Sequence, residues 1–208
     1  YGRIEYAYYL MATAAGIEMS ECRLLEEQGR SHFMTRRFDR HENGDKIHMQ
    51  SLYALAHLDN QLAGAHSYEQ AFDVMQRLGL PATAMDEMFR RMLFNVLARN
   101  QDDHTKNIAF LMDKDGRWRL APAFDVIYAY NPDGAWTSRH QMSVNGQRET
   151  IGRDDLLAVA GRFRIRHAED LIEAVATTVR NWPQYAAAAN LDDEVTEKIA
   201  QQHRSMEH

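Results

Sequence analysis

Residues 83–99 constrain this chain most. Met85, Met88, Phe89, Met92, Leu93, Val96 and Leu97 recur at spacings of three and four, which sets them on one stripe of a long helix. Such a stripe must be covered, so the chain has to build a core around it. A methionine-rich stripe is far more often packing surface than ligand site. Directly after it the periodicity changes. Residues 108–112 and 117–120 read as two strands around the turn Asp113-Lys114-Asp115-Gly116, and Pro122 ends the second. Between helix and hairpin lies Asn100-Gln101-Asp102-Asp103-His104-Thr105-Lys106-Asn107, a run of acids, imidazole, ammonium and carboxamides.

The remaining elements surround that centre. A helix is expected over residues 3–15, from the spacing of Ile4, Ala7, Tyr8, Met11 and Ala14, stopping at Gly16. Residues 22–27 and 32–38 read as strands around Gln28-Gly29-Arg30, and 39–45 as a polar loop. Short helices follow at 51–58 and 67–78, the second with Ser67 as N-cap and Gln70 completing a capping box. Residues 128–138 are loop-like and 140–144 a short strand. Helical spacing returns at 153–160, 167–181 and 191–203, with Pro183 breaking the chain between the last two.

Composition narrows the class. With 208 residues, 45% hydrophobic and 26% charged, the chain is an ordinary globular domain. It has no apolar run of the roughly 20 residues that span a bilayer. The net charge of −6 argues against non-specific nucleic-acid binding. Cys22 is the single cysteine, so no intramolecular disulfide forms and a cytoplasmic location is expected. Only Lys46, Lys106, Lys114 and Lys198 are lysines. The start, Tyr1-Gly2-Arg3, lacks an initiating methionine and a signal pattern and runs at once into helix, which reads as a piece of a longer protein.

Phosphoryl transfer needs a carboxylate to take the proton of an attacking hydroxyl, an asparagine and a second carboxylate for magnesium, and a cation near the phosphate. Protein kinases place the base five residues before the asparagine and follow it with a hairpin and a metal aspartate. Asp102 and Asn107 have that offset, the hairpin follows, and Asp125 comes next in the apolar setting Ala123-Phe124-Asp125-Val126. Taken singly, these acids and the asparagine are also ordinary turn formers. Their joint order around a hairpin is what points to chemistry.

Asp102-x-His104-x-Lys106-Asn107, the hairpin and Pro122-x-x-Asp125 resemble the HipA-type serine/threonine kinases, bacterial enzymes of which several are the toxin of a toxin–antitoxin pair. Arg37-Phe38-Asp39-Arg40 is similar to that family's hinge, and Glu5-Tyr6 ahead of Gly16-Ile17 to the start of its first long helix. The resemblance implies Asp102 as catalytic base, Asn107 and Asp125 as magnesium ligands, Lys106 near the transferred phosphate and His104 as support. It implies that the backbone from Arg36 to Phe38 meets the adenine of ATP and that Glu5 is the helix glutamate. A protein substrate and a helix-turn-helix antitoxin are the partners it implies.

The fold expected from it is mainly α with small β hairpins, the C-lobe of a protein-kinase-like fold with the N-lobe largely missing. Residues 1–48 would be leading helix and hinge, and 49–208 the helical lobe with the catalytic loop. The family pattern is incomplete here. No Gly-rich phosphate loop is present, and the first lysine, Lys46, lies after the hinge, so this chain alone should be a poor enzyme. Two other readings stand beside it: a non-catalytic module that docks a DNA-binding repressor, and a metallohydrolase using Asp102, Asp103, His104 and Asp125.

Overall fold

The structure, a computed structural model, describes residues 1–58 and 64–206. Helix α1 (Gly2–Ala14) buries Ala7, Tyr8, Met11 and Ala12. The chain leaves it through Gly16, whose φ of +80° is the left-handed conformation glycine adopts without strain. An antiparallel hairpin, β1 (Cys22–Glu27) and β2 (Arg30–Thr35), lies against α1. Gly2 permits the close approach, because a Cβ there would stand 2.5 Å from Ser31 O. The second strand ends before residue 38, where Arg37 turns to pair with Asp39.

A three-stranded antiparallel sheet follows, in the order β3 (His48–Ser51), β5 (Ala109–Met112), β6 (Trp118–Leu120). Its first strand has no apolar alternation, and only long-range pairing with β5 makes it a strand. The short helix α2 (Leu52–Leu55) begins at Ser51, whose side chain accepts the N–H of Ala54. Strands β4 (His66–Ser67) and β7 (Met142–Ser143) form a two-residue parallel pair. Ser67 also caps α3 (Tyr68–Arg77) through the expected capping box with Gln70.

Helix α4 (Ala82–Leu97) is the centre of the molecule, with Met88, Phe89, Met92, Leu93, Phe94, Val96 and Leu97 removed from solvent. It packs on α6 (Ala168–Arg180), on α3 and on α5 (Arg153–Phe163). Phe72 stacks on Phe163 at 4.8 Å between ring centres. Arg91 is the one charged residue buried on this helix; it donates to Glu87 Oε1 (2.8 Å) and Ala121 O (2.9 Å).

The C-terminal end corrects one expectation. Helix α6 does end just before Pro183, at Arg180, but Pro183 itself lies inside a further short helix that the spacing did not show. It is the second residue of α7 (Trp182–Ala188), where a missing N–H leaves no helical bond unmade. The last helix, α8 (Asp193–Ala200), is shorter than the periodicity indicated. Trp182 and Tyr8 join α7 to α1 edge to face at 5.3 Å. The result is a mixed, helix-rich fold with small sheets, and among the described residues no helix is long and apolar enough to cross a membrane.

Candidate active site

The loop after α4 is fixed by its backbone. Arg99 adopts φ +57°, turning the chain, and Ala129 N donates to Arg99 O while Gln101 N donates to Ala129 O. Residues 105–107 then close a single 3₁₀ turn. The amide of His104 and the side-chain N–H of Asn107 both donate to Asp102 O, at 2.9 and 3.1 Å. The five-residue offset of the sequence is therefore one compact turn. Asn107 spends its N–H on the backbone of Asp102, which leaves Oδ1 as an oxygen donor.

Asp102 and Asp103 go opposite ways. The Asp102 side chain is 49% exposed, with His104 Nε2 4.0 Å from Oδ1. Asp103 is turned into the interior, where it accepts from Tyr68 Oη, His140 Nδ1 and the amide of Gln141. This overturns the metallohydrolase expectation, which needed Asp103 as a free ligand beside Asp102, His104 and Asp125. Among the described residues no three His, Cys, Asp or Glu side chains gather as a metal site. Sequence reasoning did not find Tyr68 or His140; nothing local marks them, since they lie 35 and 37 residues from Asp103.

Asp125 is exposed and adopts φ +53°. It borders two hollows. A small cavity of about 30 Å³ also touches His104 and Asn107. A larger cleft of about 250 Å³ is lined by Glu5, Arg36, Phe38, Phe124 and Asp125 among others. The structure thus brings Asn107 and Asp125 to one cavity, and Glu5, Arg36 and Phe38 to a cleft that shares Asp125. Phe38 and Phe124 pack with ring centres 5.5 Å apart, forming an apolar wall. The Arg36 guanidinium pairs with Glu42 at 3.2 Å. Lys106 is exposed, and its Nζ sits 5.0 Å above the ring of Tyr53, a cation–π contact.

The electrostatics follow from burial and neighbours. Burial raises the proton affinity of Glu5, and the charge of Asp125 raises it further. Asp39 is held below the usual carboxylate range, first by its hydrogen bonds from Arg37. It also accepts from Arg40 Nη1 at 2.6 Å. These contacts fix the backbone of residues 36–40 along the cleft. The donor set fits a hard divalent cation, since Asn107 Oδ1 and the Asp125 carboxylate are both oxygen ligands.

Residues 1–202 match the model of the HipA-like C-terminal domain, and the chain belongs to that family. A candidate kinase of Sinorhizobium fredii, Y4mE, is 25% identical over 56% of this chain and 30% of its own length. A candidate kinase of Haemophilus influenzae is 26% identical over 59% of this chain and 40% of its own. The chain therefore spans well under half the length of these relatives. In three dimensions it is similar to a chain from the Shewanella oneidensis toxin–antitoxin complex of HipA, HipB and operator DNA, with TM-score 0.73 and 19% identity over 95% of this chain and 52% of that one. It also resembles the Helicobacter pylori proinflammatory kinase CtkA, with TM-score 0.59 and 12% identity over 97% of this chain and 83% of that one.

Proposed function

We propose that this chain is the catalytic-loop half, or C-lobe, of a HipA-type kinase, and that the whole protein transfers the γ-phosphoryl group of ATP to a serine or threonine hydroxyl of a protein. The observation that carries this is the placement of Asp102 and Asn107 on one turn, with Asp125 sharing a cavity with Asn107 and the adjoining cleft with Glu5, Arg36 and Phe38. When bound, magnesium would offset the charge of the phosphates and ATP would supply the transferred group.

The residues divide the work by environment. Asp102, exposed at the loop, is placed to orient the acceptor hydroxyl and take its proton. Asn107 and Asp125 would hold the cation through oxygen. His104 supports the loop beside Asp102. The Phe38–Phe124 wall and the backbone from Arg36 to Phe38 offer an apolar slot with peptide groups at its edge, suited to a flat purine. Lys106 is the transfer-side cation; it would have to leave the Tyr53 ring to reach a phosphate. Glu5 stands at the cleft as the helix glutamate. Residues 1–48 then serve as leading helix and hinge and 49–208 as the lobe. A further lobe would bring the nucleotide lysine and phosphate loop. A DNA-binding antitoxin is the partner favoured by the HipA–HipB assembly, and the cytoplasm is the natural compartment for both.

The reading is tested by calorimetric titration of ATP with magnesium into the full-length protein and its Asn107→Ala and Asp125→Asn variants. Both substitutions should weaken binding on the order of tenfold or more, the first by removing an oxygen ligand and the second by removing a ligand's charge. Wild-type affinity in both would remove these residues from the metal site.

A further inference from the structure

Asp103 neighbours the proposed base yet holds none of the roles given above. Its side chain is 1% exposed and fully engaged. Oδ2 accepts from Tyr68 Oη at 2.9 Å and from His140 Nδ1 at 2.8 Å, and Oδ1 accepts the amide of Gln141 at 2.7 Å. The bonds continue outward. Tyr68 Oη accepts from Asn95 Nδ2 at 2.9 Å, and Asn95 Oδ1 accepts from Asn100 Nδ2 at 3.0 Å. One carboxylate thereby joins the start of α3, the end of α4 and the segment at residues 140–141.

A carboxylate this buried is tolerated because all its surroundings donate to it. His140 is equally buried, and its Nε2 has no hydrogen-bond partner, so Asp103 supplies the hydrogen bond that orients the ring. Chain geometry turns this anchoring into placement. Adjacent Cα atoms are about 3.8 Å apart, so the position of Asp103 dictates that of Asp102. The carbonyl of Asp102 in turn holds the side chain of Asn107. The Gln141 side chain also donates to Trp136 O, so the same anchor extends to an exposed aromatic loop.

We infer that Asp103 is a positioning residue, an internal anchor that holds Asp102 and Asn107 in register and ties their loop to the segment at His140 and Gln141. The inference rests on the phosphotransfer reading of the site and adds to it a residue that touches neither nucleotide nor acceptor.

The test uses the full-length protein and follows transfer of labelled γ-phosphate from ATP to itself or to a generic serine-rich acceptor protein. Asp103→Asn keeps the size of the side chain but sets an N–H against one of three donors. It should lower kcat on the order of 10²-fold, the cost of a misplaced reacting group, while the KM for ATP moves less than about threefold. His140→Leu should behave similarly. His140→Asn, which returns an N–H near the Nδ1 position, should recover most of that loss. Should Asp103→Asn fail to fold, the two His140 variants decide the matter alone. Wild-type kcat in Asp103→Asn or His140→Leu, a loss confined to KM, or equal losses in His140→Leu and His140→Asn would overturn the anchor. Asp102→Asn is run beside them. If it is inactive while the anchor variants are wild type, only the anchor falls; if it is fully active, Asp102 is not the base; and if the wild type itself transfers no label, the phosphotransfer reading falls and the anchor with it.

Discussion

Glu5, on the first helix, lies close enough to Asp125 for the charge of one to raise the proton affinity of the other. The two are far apart in the sequence, one on the first helix and the other past the middle of the chain, and meet at one cleft. Burial is the larger cause of the rise at Glu5, and Asp125 the second. Asp125→Asn should therefore bring the Glu5 titration down without returning it to the ordinary glutamate value. A carboxyl-carbon NMR titration of both proteins reads this directly, and an unchanged or higher Glu5 midpoint would separate the two residues.

Asp102→Asn should remove phosphotransfer from the full-length protein by about 10² to 10⁴-fold, the range for a general base. The fold should not change, because the Asp102 side chain is half exposed and its backbone carbonyl carries the structural bonds. The check pairs a phosphotransfer assay with a thermal melt. Near-wild-type transfer would exclude Asp102 as the base.

The pH dependence of stability should carry the signature of His203. Burial, and then the charge of Arg99, lowers its pKa from 6.5 to about 4. Tyr8 Oη donates to Ala98 O and accepts from His203 Nε2 at 3.0 Å, an arrangement that needs only the neutral imidazole. The unfolded chain takes up the proton first, so stability is full above pH 6.5 and is lost progressively as pH falls toward 4. The loss is up to about 3 kcal/mol at 1.36 kcal/mol per pKa unit. Urea melts at pH 7 and pH 4.5 should differ less in His203→Gln than in the wild type. An equal pH dependence in both would assign the effect elsewhere.

Glu87 should be worth far more than a surface acid. It accepts from Arg91, from Arg90 and from the amide of Glu18, and its side chain is 12% exposed. Glu87→Ala leaves the guanidinium of Arg91 buried without its carboxylate, which costs about 3 kcal/mol. For a chain of this size the melting temperature should drop by roughly 10 °C. A shift under about 2 °C would show that Arg91 finds its compensation at Ala121 O.

The elements that depend on local chemistry were legible in the sequence. The stripe of Met88, Phe89, Met92 and Leu93 gave the central helix, Ser67 with Gln70 gave a helix start, and Gly16 gave a helix end. The polar strand from His48 to Ser51 was not legible, since only its partner β5 defines it. Pro183 marked the end of α6 but hid α7, because proline at the second residue of a helix is harmless. Within the loop, the spacing to Asn107 singled out Asp102, but no local signal showed that Asp103 would be turned into the interior. That orientation is set by Tyr68 and His140, which the sequence places far away.

The left-handed backbone of Asp125 carries a consequence for what the position can tolerate. A φ of +53° is reached readily by glycine and, among residues with a side chain, best by asparagine and aspartate. The cleft at the same point is faced by a carboxylate. Glycine and asparagine would keep the backbone and lose the charge; glutamate would keep the charge and strain the backbone. In the proposed kinase site a conformational and an ionic demand would meet in this one amino acid.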